Sequence, residues 1–270
     1  MKPNCLLVVL RAMIFIGFLA VFWVGSSLDA AEKSIPFHPG EKLTFQVKWL
    51  FIPAAEAVLE IMPIEMVNGV RTFHFSMTVR TYEKIDWIYK VRDRIDAYTD
   101  EAITRTLLYK EKADGKSKKA VTVIFDWEKP EAQYSNFDEK SPPIPIQPGS
   151  FDPLSVFYAF RLMTLNEGAE LQAFVTDGKK CVLGKAKVVK REKIQVRGVF
   201  YDTFLVEPSM EHIKGVFEKS KNAKLQLWVT ADEACIPVRA KSEVIVGSFV
   251  AELVSIQNPP VVQTLSSLLP

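Results

Sequence analysis

The three histidines are the residues best suited to metal chemistry, but their spacing does not favour a metal site. His38, His74 and His212 are far apart in the chain. A metal site takes its ligands at close spacing, as in H-x-H or H-E-x-x-H, and neither pattern occurs. His74 alternates with apolar residues in "TFHFS" and is expected to share a face with Thr72 and Ser76. We predict a solvated or singly hydrogen-bonded histidine there, and no metal or cofactor.

Motifs for nucleophilic or acid–base catalysis are not found in the sequence either. "PGSFD" and "VGSFV" contain Gly-Ser, but not the G-x-S-x-G motif of a serine hydrolase. Asp93 and Asp96 have an odd separation, so in a regular strand they lie on opposite faces and cannot share a cleft. We expect a charge ladder with Arg92 and Arg94, no catalytic residue, and a protein that is not an enzyme. An envelope hydrolase, which needs convergent acids or a pocket histidine, is the less favoured alternative.

The first thirty residues predict a signal peptide. Two basic residues accompany the apolar run "AMIFIGFLAVFWVG" at 12–25, and "SSLDA" then offers a cleavage site after Ala30 or Ala31. The run is shorter than the roughly 20 residues of a spanning helix. We therefore expect export to the periplasm. An inner-membrane protein anchored by an uncleaved N-terminal segment is the alternative.

Charge and cysteine content limit the partners. The chain carries 34 basic and 32 acidic residues, a formal net charge of +2, which predicts no nucleic-acid partner. Beyond the expected signal peptide only Cys181 and Cys235 remain. In an oxidising compartment they can pair, or they can stay as two separate buried thiols, and their spacing leaves both alternatives open.

Apolar and polar residues alternate with period two over most of the chain, which predicts strands. "KLTFQVKW" at 42–49 is a clear example, and Asn68-Gly69 and Asp114-Gly115 predict hairpin turns. Pro63 is expected to shorten the strand before Asn68. The fold class is therefore mainly β, with about 10–13 antiparallel strands. Further strands are expected at 55–61, 71–80, 90–99, 105–112, 118–127, 169–176, 181–192, 203–208, 224–230, 235–246 and 248–256.

One short helix interrupts the strands. "SPPIPIQPGS" at 141–150 contains four prolines and predicts an extended crossing segment, because proline lacks the amide donor of a central ladder. Asp152 is a good N-cap and Pro153 suits the first helical position, so a helix is expected at about 152–164. It is apolar on most sides and must be covered on most sides. We expect a curled sheet, a half-barrel or open barrel, wrapped round it.

Residues 31–257 are expected to form a single β-rich domain, followed by an irregular tail at 258–270. "GEKLTFQV" at 40–47 resembles "GAELQAFV" at 168–175. The chain can thus be interpreted as two half-sheets, 40–140 and 168–257, joined by the proline-rich segment and the helix.

Aromatic residues are frequent, and most are interpreted as core. An alternative is a cavity that holds an apolar guest, with Arg161 or Arg92 at its mouth. The basic stretch "KEKADGKSKKA" at 110–120 is interpreted as a solvated hairpin edge, and contact with anionic lipid headgroups is its alternative. The aromatic residues are Trp49, Phe51, Trp87, Tyr89, Phe125, Trp127 and Trp228. The candidate ligand-lining residues are Leu154, Phe157, Tyr158, Phe160, Arg161, Trp49 and Phe51.

Four phrases together resemble one known family. They are "PGEKLTFQVKWLFIPAAEAVLEI", "YKVRDRIDAY", "DPLSVFYAFR" and "LQLWVTADEACIPVRAKSEVIVGSFVAELV". In this order, across roughly 37–257, they are similar to the exported bacterial family called domain of unknown function 3108. The resemblance implies an exported β-rich protein without an agreed activity, so it assigns no catalytic residue. By fold analogy, such sheets resemble periplasmic carriers of lipoproteins.

These observations predict a non-enzymatic protein of the cell envelope of a Gram-negative bacterium. We expect it to bind or carry an apolar or amphipathic envelope component such as a lipid, since burial of an acyl chain contributes about 0.8 kcal/mol per CH₂. The alternative is a protein-interaction or scaffold module that binds a periplasmic protein partner through exposed sheet edges or the basic hairpin.

Overall fold

The structure, a computed structural model, describes residues 35–115, 118–209, 224–244 and 247–257. The expected signal peptide, His212 and the tail at 258–270 lie outside these residues. Within the described residues, fifteen strands form one antiparallel sheet, accompanied by two short helices. The prediction of a mainly β, antiparallel fold is confirmed.

The strands follow the period-two segments of the sequence closely, and several extend beyond them. The helices are α1 (Glu83–Asp86) and α2 (Ser155–Arg161). The strands are β1 (Lys42–Trp49), β2 (Ile52–Val67), β3 (Val70–Thr81), β4 (Arg92–Asp100), β5 (Thr106–Asp114), β6 (Lys118–Asp126), β7 (Glu131–Asn136), β8 (Glu139–Lys140), β9 (Ile144–Pro145), β10 (Glu170–Thr176), β11 (Cys181–Val196), β12 (Val199–Pro208), β13 (Lys224–Thr230), β14 (Pro237–Val244) and β15 (Gly247–Gln257).

The two halves of the chain form one continuous sheet. Its order is β10-β11-β12-β13-β14-β15-β1-β2-β3-β4-β5-β6-β7-β8, and β9 pairs with β7. The junction between the halves is the antiparallel pair β15–β1, which runs from Lys42 opposite Gln257 to Trp49 opposite Phe249. This pairing places the last described strand beside the first.

The proline-rich segment runs between the two ends of this sheet. Its strand β9 pairs with β7 through Ile144 and Ala132. Seven residues after Ile144, the amide of Phe151 donates to the Phe174 carbonyl of β10 at 2.8 Å, and Thr176 donates back to Phe151 at 2.9 Å. The segment thus hydrogen-bonds to both terminal regions of the sheet, which requires the sheet to curl. We call this region, residues 144–151, the seam.

Helix α2 lies against the inner face of the curled sheet. Tyr158 is fully buried and stacks on Phe75 of β3 with a centroid separation of 3.9 Å, and Phe37 meets it edge-on. Asp152 caps the helix, since its carboxylate accepts from the amides of Leu154 and Ser155 at 2.8 and 2.9 Å. The prediction of a short helix wrapped by the sheet is confirmed, but the helix spans Ser155–Arg161 rather than about 152–164, and Pro153 precedes it. Helix α1 was not predicted.

Two local predictions need correction. Pro63 does not end the strand before Asn68: β2 continues to Val67, and the register shifts between Met62 and Glu65, so the proline occupies an irregularity where the ladder is interrupted. The strand count is also higher than expected. The additional strands are β7, β8 and β9, two of which contain only two residues.

Candidate binding surface

The helix residues proposed to line a cavity belong to the packed interior. Leu154, Tyr158 and Arg161 are buried, whereas Phe157 and Phe160 are partly buried against neighbouring apolar residues. The helix is packed on several sides, and its aromatic rings contact those of β3. Its role is therefore structural.

Arg161, one of the two arginines named for the mouth of the alternative cavity, makes a buried ion pair. Its two terminal nitrogens donate to the two carboxylate oxygens of Glu41 at 2.5 and 3.1 Å. The guanidinium also donates to the Ala234 carbonyl between β13 and β14, and it lies 4.7 Å from the ring centroid of Phe37. Arg161 therefore joins the helix, the start of β1 and a distant turn.

Phe51 lies at the opposite end of the sheet from this ion pair. β1 ends where β2 begins, and β3 ends at the same edge, because Ala55 of β2 is opposite both Val47 and Thr81. Tyr82 donates to the Ala54 carbonyl at 3.0 Å, so the loop after β3 continues beside the β1–β2 turn. Consecutive turns thus emerge together at this edge.

Large apolar side chains project from these turns. Trp87 is 92% exposed and Phe51 is 81% exposed, the two highest values among the large apolar side chains described. Exposed apolar groups that cluster in adjacent turns are typical of an interaction surface, whereas single ones are not. We call the set the aromatic end. Its members are Leu50, Phe51, Ile52, Trp87, Ile88 and Tyr89, and apart from the two just named they are between 41% and 68% exposed.

A polar network fixes the loop that carries Trp87. The Asp86 carboxylate accepts from the Arg92 guanidinium at 3.1 and 2.5 Å and from the Thr81 hydroxyl at 2.5 Å. The hydrogen bond from Thr81, followed by that from Arg92, lowers the pKa of Asp86. Arg92 also donates to the carbonyls of Thr81 and Val91. These hydrogen bonds hold both ends of the Trp87 loop against the sheet. The apolar side chains of the loop point away from the core.

The interpretation as core is wrong for three of the seven aromatic residues. Phe51, Trp87 and Tyr89 are exposed, whereas Phe125 and Trp228 are buried as expected. Trp49 and Trp127 are partly buried, and Trp127 donates from its indole nitrogen to the Thr106 carbonyl at 2.8 Å. Hydrophobicity alone did not distinguish loop tips from strands.

His74 is buried rather than solvated, and it contacts two acids rather than one partner. Its Nδ1 lies 2.8 Å from a Glu65 carboxylate oxygen, and its Nε2 lies 2.8 Å from Asp96. Because a carboxylate only accepts, a ring protonated on both nitrogens satisfies both contacts. Arg94 donates twice to Asp96, and the His74 ring stacks on Tyr98 at 4.2 Å. The cluster is internally satisfied and stabilises β2, β3 and β4.

The same cluster sets the charge state of Asp96. Burial by itself would raise the pKa of this carboxyl, but hydrogen bonds from His74 and Arg94 outweigh it and hold the pKa well below its usual range. The expected ladder is thus formed between Arg94 and Asp96. Arg92 pairs instead with Asp86.

The two cysteines have different neighbours. The sulfur of Cys181 lies 3.5 Å from the Ser150 hydroxyl, and Cys235 is buried beside the Asp232 carbonyl. The disulfide that the sequence allowed is not formed in this structure. Cys181 also borders a shallow cleft of about 410 Å³ at the seam, between Ile144 and Lys179.

The residues that the structure describes contain no group of three or more His, Cys, Asp or Glu side chains arranged to hold a metal ion. None of their helices combines the length and the apolar character needed to cross a membrane.

Fold and surface define an antiparallel β protein that curls round one helix and exposes an aromatic end. The chain belongs to the family described as protein of unknown function (DUF3108), whose sequence profile matches residues 44–254. The resemblance noted from its phrases is thereby confirmed. No curated protein matches the sequence.

Solved structures of low sequence identity resemble the chain. One is the crystal structure of a β-barrel-like protein of the domain of unknown function DUF1849 from Brucella abortus, with a TM-score of 0.53 and 10% identity over 83% of this chain and 99% of that chain. Another is a hypothetical protein from Chlamydia trachomatis, with a TM-score of 0.35 and 6% identity over 84% and 91% of the two chains. The first likeness supports the curled β fold.

Proposed function

We propose that the protein is a non-enzymatic component of the bacterial cell envelope that binds an apolar or amphipathic molecule, such as a lipid, at its aromatic end. The observation that carries this proposal is the exposure of Phe51 and Trp87 in neighbouring turns, together with the apolar residues beside them. Water-exposed apolar area of this kind is removed from water at about 25 cal/mol per Å² when a ligand covers it. The predicted signal peptide supports a location in the envelope.

The packed interior favours binding at this end over binding around the helix. Tyr158 is stacked on Phe75, and Arg161 is held by Glu41, so a guest between them would have to displace established contacts. The turns of the aromatic end are accessible without such rearrangement. Their exposed side chains suit partial burial of an acyl chain or a hydrophobic patch.

Native mass spectrometry of the protein isolated from its own periplasm, followed by organic extraction, tests the proposal. We expect a lipid-sized adduct on the unaltered protein and its loss in the double variant Phe51→Ser/Trp87→Ser. The matched control is Phe200→Ser, which removes another exposed aromatic ring from the opposite end of the sheet, next to the β11–β12 turn.

Two outcomes would contradict the proposal. One is a mass without adduct in several gentle preparations of the unaltered protein. The other is an adduct that the double variant retains. If a protein partner copurifies in place of a lipid, the protein is an interaction module instead.

A further inference from the structure

The basic hairpin and the aromatic end lie side by side. Gly115, in the β5–β6 turn, is so close to the loop after α1 that a Cβ at this position would lie 2.3 Å from the Lys90 carbonyl oxygen. Lys90 directly follows the exposed residues Trp87–Tyr89. The hairpin tip and the Trp87 loop therefore meet at backbone level.

This hairpin adds positive charge to the edge of the aromatic end. Residues 110–119 contain five lysines against two acids, Glu111 and Asp114. Glu111 accepts from Lys119 at 3.0 Å, whereas Asp114 and Lys118 are 4.0 Å apart and both largely exposed. Lys112 is exposed as well, so the positive charge of the tip is available to a partner.

The Trp87 loop itself carries a similar combination. Lys84 and Lys90 are exposed on either side of Trp87, and Glu83 is the exposed acid of this loop. The second acid, Asp86, is neutralised by Arg92. Tryptophan and tyrosine beside lysine are the side chains that proteins place at the boundary between hydrocarbon and headgroups.

We infer that the aromatic end is a docking site for an anionic bilayer surface, in which the apolar turns insert below the headgroups and the exposed lysines Lys112 and Lys118 of the basic hairpin contact lipid phosphates. This inference rests on the proposed function and specifies its ligand. Positive charge beside the apolar turns complements an anionic leaflet, whereas a zwitterionic one offers less attraction. Separate protruding turns also suit insertion between lipids.

Vesicle sedimentation tests the inference, with the protein used as it is isolated from cells. The probes are vesicles of phosphatidylethanolamine with phosphatidylglycerol, and vesicles of phosphatidylcholine alone. We expect binding to the anionic vesicles that weakens with added salt, because exposed charges are screened. Binding to phosphatidylcholine should be weaker by roughly tenfold or more.

Two pairs of variants separate the contributions. Lys112→Glu/Lys118→Glu should lower affinity for anionic vesicles by roughly tenfold or more, and the control Lys193→Glu, on an exposed position of β11, should not. Phe51→Ser/Trp87→Ser should lower it by a similar factor, and Phe200→Ser should not. All variants share the same N-terminal segment, so differences report the aromatic end and the hairpin.

Tryptophan fluorescence supplies a direct readout of insertion. The difference between the emission of the unaltered protein and of Trp87→Phe isolates Trp87, which is 92% exposed. We expect a blue shift of this component when anionic vesicles are added. A Trp87 emission that stays unchanged at saturating vesicle concentration would overturn insertion.

The failures of the two proposals are distinguishable. If a lipid adduct depends on Phe51 and Trp87 while the protein ignores vesicles, or binds both vesicle types equally, the bilayer inference is wrong and the proposed function stands. If neither adduct nor vesicle binding responds to the aromatic substitutions, both are wrong. A salt-resistant complex with a protein that blocks vesicle binding would also overturn the inference.

Discussion

Arg161 and Glu41 form a buried, two-pronged ion pair between residues 120 positions apart in the sequence. The pair connects α2 to the segment that leads into β1, and the second interaction of Arg161, with the Ala234 carbonyl, brings in the β13–β14 turn. It therefore holds together the first and second halves of the sheet and the helix inside it.

Removal of one member of this pair should destabilise the protein strongly. Arg161→Met and Glu41→Met each leave the other charge buried without its partner, which costs about 3–5 kcal/mol. The double variant Glu41→Met/Arg161→Met should cost clearly less than the sum, since no charge stays buried. Equilibrium urea unfolding of the four proteins measures these differences. Single substitutions that cost about 1 kcal/mol or less, as at surface pairs, would contradict the structural role.

Asp96 should make stability depend on acid pH. Its pKa is lowered in the folded state, so the ionised carboxylate contributes stability above its unfolded pKa of about 3.9. That contribution is lost as the pH falls from about 4 through the folded pKa. Asp96→Asn should therefore cost about 1–3 kcal/mol at neutral pH, and its difference from the unaltered protein should shrink below pH about 4. Urea midpoints measured across this range check the prediction.

Asp93 provides a control on the same strand. Burial, and then the nearby Glu111, raise its pKa. The sign is opposite, because an acid whose pKa is raised on folding opposes folding when ionised. Asp93→Asn should therefore not show the loss of stability at neutral pH that is expected for Asp96→Asn. Identical pH profiles for Asp93→Asn and Asp96→Asn would contradict the assignment.

Local sequence rules predicted much of the sheet, because side chains alternate between faces wherever a strand is half-buried. The segment 224–230 was predicted with the bounds that β13 has. Strand β7 was missed, since "EAQYSN" contains few strongly apolar residues and is defined by its pairing with β6. Pro63 was misread because a bulge accommodates it inside β2. Tertiary pairing, which local patterns do not encode, decides such cases.

The candidate surface was harder to predict than the fold. "WIY" at 87–89 is apolar, and a period-two reading treats apolar residues as core. Exposure of Trp87 follows from the fixed loop that Asp86 and Arg92 define, and this pair forms only when β3 and β4 are adjacent. The partner of Arg161 was equally hidden, because Glu41 lies far away in the sequence. The one local signal was the cluster of aromatic residues with lysines nearby.

Asp152 should be needed as a hydrogen-bond acceptor more than as a charge. It is fully buried, and its carboxylate accepts from the Thr106 hydroxyl and from two amides of the first helical turn. Burial raises its pKa, so the ionised form is disfavoured in the folded state. Asp152→Ala should cost about 1–3 kcal/mol by leaving buried donors without an acceptor, whereas Asp152→Asn should cost less.

The unfolding free energies of Asp152→Ala and Asp152→Asn at neutral pH test whether the alanine variant is the less stable of the two. A second check uses the sign of the pKa shift. As the pH falls toward about 4, the unaltered protein should gain stability relative to Asp152→Asn, because its carboxyl takes up a proton more readily when folded. Equal costs for Ala and Asn at this position would contradict the acceptor role.

The curl of the sheet predicts an energetic coupling between Gly178 and Val123. Gly178, in the β10–β11 turn, has a φ of +83°, and a Cβ there would lie 2.8 and 2.9 Å from the methyl carbons of Val123 in β6. Gly178→Ala should therefore combine a backbone penalty of about 1–2 kcal/mol with a packing penalty of about 1–3 kcal/mol. The control Gly198→Ala has a φ of +88° and nothing within 4 Å of its Cβ, so it should show the backbone penalty alone.

The substitution Val123→Ala should partly offset the packing penalty of Gly178→Ala, which makes the prediction specific to the contact between these two residues. Val123 is fully buried, so its truncation alone is destabilising. In the Gly178→Ala background the same truncation provides room for the new methyl group, and its cost should fall by about 1 kcal/mol or more. Urea unfolding of the cycle measures the coupling. Strictly additive costs would mean that the β10–β11 turn does not pack on β6, and the sheet would then be less curled than its seam requires.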